Sequence, residues 1–409
     1  MKQYLWIIIT LLSFTFSSCK ESIETFYSNN EQDRDDDEIT GDDYVYHLPV
    51  IFHVLYKDQN AIDKDNNRTQ YISYNRLKEL LDNVNDLYEG RLYNYGKEGE
   101  APSENIHVKF ELALYDESGN KLSTPGVEYI KYSGDYPIDC NHFMSQKKGK
   151  NKIIWDPNEY INVMVYNFKN TSATGVTLGI SNIPYTSNGY PQIEGLEDSK
   201  NKELNKNNIS FEYCVSLNSL YIYYESSRYA DVKANKAWKT YSSADANVTL
   251  AHELGHYLGL HHTFSEQKSC DGSMESANNC DDTDYCTDTK SYNRIVYDKW
   301  LKEYYDKHKN PTDTLKMSEM IKRSNDKSEE WDSDNFMDYS VSLSFRFTPE
   351  QRDRIRQVLY YSPLIPGPKK NRSNNTDTRS KENDEPIDLP ICLAVEKAVS
   401  RIPATIRLQ

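Results

Sequence analysis

The chain has 409 residues, 37% of them apolar and 27% charged, which suffices for the core of one large domain or two average ones and excludes a wholly disordered polymer. Its formal net charge is -15. Phosphate recognition needs a clustered surplus of Lys and Arg, so no nucleic-acid partner is expected.

In chain order, Met1-Lys2 precedes an apolar run from Tyr4 to Phe16 and then Ser17-Ser18-Cys19. This is the charged start and apolar middle of a secretory signal, too short to span a bilayer. Small residues directly before a Cys resemble a bacterial lipoprotein cleavage site. Residues 1–18 then read as the signal peptide, and Cys19 as the acylated first residue of the mature chain; cleavage nearby with free secretion is the alternative. Several acyl chains on one residue hold a protein stably on a membrane. The expected location is therefore outside the cytoplasm, anchored to a bacterial membrane, the outer one by preference, or exposed on the cell surface. Residues 19–43, with Asp33-Arg34-Asp35-Asp36-Asp37-Glu38, are too polar to bury a core and read as an acidic tether.

Residues 44–365 read as one folded domain. His47-Leu48-Pro49-Val50-Ile51-Phe52-His53-Val54-Leu55 has the content of a buried strand. Leu77, Leu80, Leu81, Val84, Leu87 and Tyr88 recur at helical spacing behind Ser73, a capping residue. Strands are expected at Ile106 to Leu114, Ile161 to Tyr166 and Ile209 to Leu217. Ser242 or Ser243 can cap a helix that runs through Leu250, Leu254, Tyr257 and Leu258 and stops at Gly259. After a polar stretch rich in Tyr and Lys, Thr348-Pro349-Glu350-Gln351 forms a capping box with Pro at the first helical position. Residues 366–409 read as a linker, Pro366 to Pro386, and a short tail to which no role attaches.

Beyond Cys19 the cysteines are Cys140, Cys214, Cys270, Cys280, Cys286 and Cys392. An even number in an exported chain predicts disulfides.

Residues 252 to 262, HELGHYLGLHH, fit HExxHxxGxxH. His252 and His256 lie one helical turn apart on one face, their Cβ atoms about 5–6 Å apart, so two imidazoles can hold one ion. Gly259 lets the chain leave the helix through positive φ and bring a third imidazole back. By spacing that third ligand is His262, with adjacent His261 as its competitor. Three neutral imidazoles leave the fourth tetrahedral position of zinc to water, the mark of an open catalytic site, and lower that water's pKa to about 7. Glu253, about 100° around the helix from His252, is placed to act as general base and then as proton donor to a leaving amine. Multiplying residue frequencies over this length gives a chance expectation on the order of 10⁻⁵ for the five fixed positions. His47, His53, His107, His142 and His308 are expected to be structural or exposed.

These residues resemble the pappalysin/ulilysin family of metzincin zinc metallopeptidases. Thr263-Phe264 continues the third His, Asn335-Phe336-Met337-Asp338-Tyr339 is similar to the family's Met-turn, and Phe347 to Arg354 fits FTxxQxxR. The resemblance spans roughly Tyr44 to Tyr361. It implies an α+β, zincin-like catalytic domain with a twisted mixed sheet, a backing helix, an active-site helix and an irregular C-terminal subdomain holding the Met-turn. It further implies zinc, a protein or peptide substrate and endopeptidase activity, and it agrees with the zinc metalloproteinase lipoproteins of Bacteroidetes-type bacteria. By matching position, Met337 underlies the metal and Tyr339 stabilises the oxyanion. Leu178, Gly179 and Ile180 form the edge strand that pairs with substrate by β-augmentation. Asp284, Asp288 and Thr289 fall on a calcium-binding segment. The chain departs from that pattern at Cys286 and Lys290, and at Val341-Ser342-Leu343-Ser344 after the Met-turn, which leaves the disulfide pairing and the bond preference open. A surface binding or scaffold lipoprotein with structural zinc is the competing class, which gives Glu253 no task; a glycan-binding lipoprotein has no supporting motif.

Overall fold

A strand of eleven residues, β1 (Tyr46–Tyr56), runs through the centre of the molecule, and from Leu48 to Leu55 only Pro49 is more than sparingly exposed. A continuous apolar run of this kind suits a parallel strand covered on both faces. The computed structural model describes residues 44–63, 68–91, 102–147, 153–169, 175–187, 191–199, 204–223, 240–269, 274–308, 310, 315–367, 391, 393–399 and 405–407. Around β1 lie β2 (Val108–Leu112), β3 (Val127–Lys131), β4 (Ile161–Tyr166), β5 (Gly175–Asn182), β6 (Val215–Asn218), β7 (Thr240–Ser242), β8 (Leu393–Val399) and β9 (Thr405–Arg407). The main sheet has the order β8-β5-β6-β4-β1-β2, with β3 also on β1. β2, β3 and β4 are parallel to β1 and β6 is parallel to β4. β5 is antiparallel to β6, and β8 to β5. The fold is α+β with a mixed sheet.

Helix α1 (Tyr74–Tyr88) backs the sheet. Ser73 caps it by accepting from the Arg76 amide, and Leu77, Leu80, Leu81, Val84 and Leu87 are buried. Each such side chain contributes about 1.5–3 kcal/mol of burial. Beside it lies α2 (Ala246–Tyr257), buried along its whole length. Tyr88 of α1 donates its hydroxyl to the Ala251 carbonyl at 3.0 Å, fixing one helix against the other. Two more helices, α3 (Arg294–Lys307) and α4 (Pro349–Tyr361), stand among short hairpins in the second half. Among the described residues no helix is long and apolar enough to cross a membrane.

Three sequence expectations change. The cap of α2 is Asp245, whose carboxylate accepts from the amides of Asn247 and Val248, because Ser242 is taken up in β7, which pairs with β9. The strand expected at Ile209 to Leu217 forms only at β6, where β4 and β5 offer partners. No disulfide joins Cys140, Cys214, Cys280 and Cys286; the first, second and fourth are buried as thiols, and burial pushes Cys140 up to about 12. Cys270 and Cys392 lie outside the described residues, as do Cys19, the whole of 1–43 and residues 368–390, which take in most of the linker. The tail without an expected role supplies β8 and β9.

Candidate metal centre and cleft

Helix α2 ends at Tyr257, and Gly259 follows with φ +93°, so the chain turns sharply and Leu260 to His262 come back under the helix. The Nε2 atoms of His252 and His256 are 2.9 Å apart, those of His256 and His262 3.0 Å, and those of His252 and His262 3.2 Å. All three rings are buried. His261, the competitor, instead sets its ring edge-on to Tyr285 at 5.3 Å.

What each ring does with its other nitrogen decides the chemistry. His252 Nδ1 donates to the Phe336 carbonyl at 2.7 Å, and His256 Nδ1 to the Leu260 carbonyl at 2.8 Å. His262 Nδ1 donates to the buried Glu266 carboxylate at 2.7 Å. Burial, together with the neighbouring imidazoles, holds His252 down at about 3 and His256 well below the ordinary range, so these two rings are neutral. A neutral ring with its proton on Nδ1 has only a lone pair on Nε2. Three lone pairs within about 3 Å repel unless a cation sits among them, and about 3.3 Å is the N–N spacing that zinc–nitrogen bonds of 2.0–2.1 Å give in a tetrahedron. The donor set therefore fits zinc. Among the described residues this is the one convergent group of His, Cys, Asp or Glu of metal-binding geometry.

Glu266 is a residue that the sequence reading misses. A carboxylate behind a metal-ligating imidazole fixes its tautomer and raises its basicity, and losing such a partner costs about 10–100-fold in metal affinity. Glu266→Gln should accordingly weaken zinc binding by about that factor in a chelator competition. An unchanged affinity would remove Glu266 from the site.

Below the helix, a Cβ on Gly255 would come within 2.6 Å of the Met337 sulfur, so Met337 packs directly under the turn that carries the histidines. Tyr339 sets its ring 4.5 Å from that of His262. Above the helix, β5 passes so close that a Cβ on Gly179 would lie 2.6 Å from Glu253 Cγ, which explains a glycine inside a strand. Gly179, the middle of the expected edge segment Leu178-Gly179-Ile180, thus borders Glu253, but β5 is not the free edge that the sequence reading expects, because β8 pairs along it.

Helix α4 ties the loops together. Gln351 exchanges side-chain hydrogen bonds with Asn335 at 2.8 and 3.1 Å, holding the segment that carries Met337. Arg354 donates to the Gly259 carbonyl at 2.7 Å, holding the turn that delivers His262. Behind Tyr339, the buried Asp338 carboxylate accepts from Arg323 at 3.1 Å, from the Tyr292 hydroxyl at 2.6 Å and from Ser333. Arg294, also buried, donates to the Ser340 carbonyl at 2.7 Å and lies over the Tyr339 ring.

Asp284, Asp288 and Thr289 are not drawn into one cluster. Asp284 accepts from Thr289 Oγ1 at 2.7 Å and from the Cys286 amide at 2.9 Å, and burial raises its carboxyl above the usual range. Asp288 accepts from Thr348 Oγ1 and the Glu350 amide, which docks the loop on the start of α4. His53, between Glu128 and Asn162, is structural.

Comparison with known proteins finds a similarity over the segment that builds the centre. Residues 222–360 match the sequence model of the peptidase family described as Pregnancy-associated plasma protein-A. No curated protein matches the chain. Similar solved structures include Tannerella forsythia mature mirolysin in complex with a cleaved peptide, at 16% identity and a TM-score of 0.44, covering 76% of this chain and 90% of that one. Mirolysin in complex with compound 9 gives 17% identity and a TM-score of 0.46 over 76% and 91%. A Tannerella forsythia promirolysin mutant gives 15% and 0.41 over 78% and 81%. The match over 222–360, about a third of the chain, takes in the three histidines, Glu253, the Met337 loop and α4, so the segment that builds the metal centre is similar to that peptidase family.

Proposed function

We propose that the chain is an endopeptidase, exported and lipid-anchored through Cys19 to a bacterial membrane, the outer one by preference, on a tether of residues 19–43. The observation that carries the peptidase chemistry is the set of three Nε2 lone pairs 2.9–3.2 Å apart beside a buried carboxylate. His252, His256 and His262 would hold the zinc, which when bound acidifies water to a pKa of about 7 and polarises the carbonyl. Glu253 takes the proton of the water that attacks the carbonyl carbon, so the carbon–oxygen bond forms as the carbonyl π pair moves to oxygen, and it then returns the proton to the amine as that pair folds back and the carbon–nitrogen bond breaks. The Tyr339 hydroxyl donates to the developing oxyanion. β5 pairs with an extended stretch of substrate main chain, a mode that accepts an internal segment of a polypeptide and so supports endopeptidase action.

Calcium belongs to the same reading through the resemblance of the loop that holds Asp284, Asp288 and Thr289, and its binding would require Asp288 to leave Thr348 and the Glu350 amide for the Asp284–Thr289 pair. Chelation by phenanthroline should abolish hydrolysis of casein, and zinc should restore it. Calcium returned alone should raise the melting temperature without restoring hydrolysis. Full activity in metal-stripped protein would sink the assignment. Fatty-acid labelling of the wild type but not of Cys19→Ala tests the anchor.

A further inference from the structure

The antiparallel sheet edge nearest the candidate catalytic carboxylate already has an occupant. β8 lies outside the segment that matches the peptidase family, beyond the linker of residues 366–386, yet it joins the main sheet by pairing antiparallel along the whole of β5, from Leu393 opposite Asn182 to Val399 opposite Gly175. Within that register Val395 faces Ile180 and Glu396 faces Gly179. Gly179 is the residue whose backbone presses on Glu253. The pairing then slips, so that Lys397 faces Thr177 and Leu178 stands at the irregularity. Cα atoms of β8 also come within 8 Å of α2 and of the strand 274–276 that follows the third histidine. Leu393 is buried in the main core and anchors the start of the strand.

A strand has two hydrogen-bonding edges. One edge of β5 is used by β6, so a substrate that pairs with β5 must take the edge that β8 holds. The tail and an extended substrate therefore compete for the same main-chain groups at the residue beside the base.

We propose that residues 393–399 are a tethered pseudosubstrate that autoinhibits the peptidase, and that substrate enters by displacing β8 from β5. This rests on the peptidase reading of the site. The occupant is a segment of this chain, and the competitor is any polypeptide able to extend. Because the competition is for binding, inhibition falls on KM and leaves kcat alone. If β8 is docked in nine molecules of ten, its release lowers KM about tenfold.

The test uses the zinc-loaded full chain and the variant Val395→Pro with Glu396→Pro. Adjacent strand residues point their amides to opposite edges, so one of the two prolines removes a donor facing β5. A fluorogenic peptide assay reads KM and kcat, and hydrogen exchange in a Glu253→Gln background reads the β5 amides. The expected result is about a tenfold fall in KM at constant kcat, with faster exchange across residues 175–182. Unchanged KM overturns the proposal, whether or not exchange quickens. Faster exchange in chains that hydrolyse nothing, with or without the prolines, would instead remove the peptidase reading and the autoinhibition with it.

Discussion

Glu253→Gln should lower kcat by about 10²–10⁴-fold, the range that a positioned general base contributes, while zinc content and melting temperature stay at the wild-type values. That factor corresponds to about 2.7–5.5 kcal/mol of barrier. The substitution isolates the proton transfer because the amide has the shape of the acid, and shape matters here: Glu253 is fully buried, with the backbone of Gly179 against its Cγ. None of the three imidazoles uses Glu253 to hold its tautomer; Phe336, Leu260 and Glu266 do that. Metal content by mass spectrometry and steady-state hydrolysis of a quenched peptide are the paired measurements. Wild-type kcat in the variant, with zinc bound, would leave the site without its base.

Asp338→Ala is expected to be the most destabilising single change in the second half of the chain, by about 3–5 kcal/mol at pH 7, because it strands a buried guanidinium. Arg323 is fully buried and its Nε donates to Asp338, whereas Arg294 keeps Asp298 as a second carboxylate. Burial opposes ionisation of Asp338, but Arg323, Arg294 and the hydrogen bonds from Ser333 and Tyr292 outweigh it and leave the carboxyl below its ordinary value. A carboxyl whose folded pKa is depressed adds stability above its unfolded value, about 3.9, and loses that stability as pH falls through the folded value. The gap between variant and wild type should therefore be wide at neutral pH and should narrow below about pH 4. Urea unfolding of chelated protein at the two pH values measures it without interference from zinc. A constant gap across that range would mean that packing, not charge, accounts for the loss.

The metal site is largely legible in the sequence because its logic is local. Helical spacing aligns His252 with His256, and one glycine with positive φ, Gly259, returns the chain to His262; no distant residue is needed to see it. The capping box at Thr348 is local in the same way and forms as expected. What Gln351 and Arg354 do is not local: their partners, Asn335 and Gly259, are named only once α4 is docked. Glu266 escapes for a related reason, since four residues beyond His262 the chain is no longer helical and spacing carries no geometry. Its one available signal is an acidic residue just after the third histidine. Asp245 beats Ser242 and Ser243 as a cap because a strand from the far end of the chain claims Ser242. Counting cysteines is a statement about compartment and parity, and it fails to predict Cys140, Cys214 and Cys286, whose thiols are buried with no disulfide. β8 is hardest to read: Leu-Ala-Val-Glu-Lys-Ala-Val mixes weak strand formers, and its order comes from the edge it meets.

Gln351 and Arg354 give the enzyme a built-in order of events. The turn that delivers His262 and the loop that carries Met337 are each tethered by a helix encoded about a hundred and about fifteen residues later, so a polypeptide emerging from its ribosome passes its histidines out long before the brace for them exists. Hydrolytic competence arrives late, after α4 has followed.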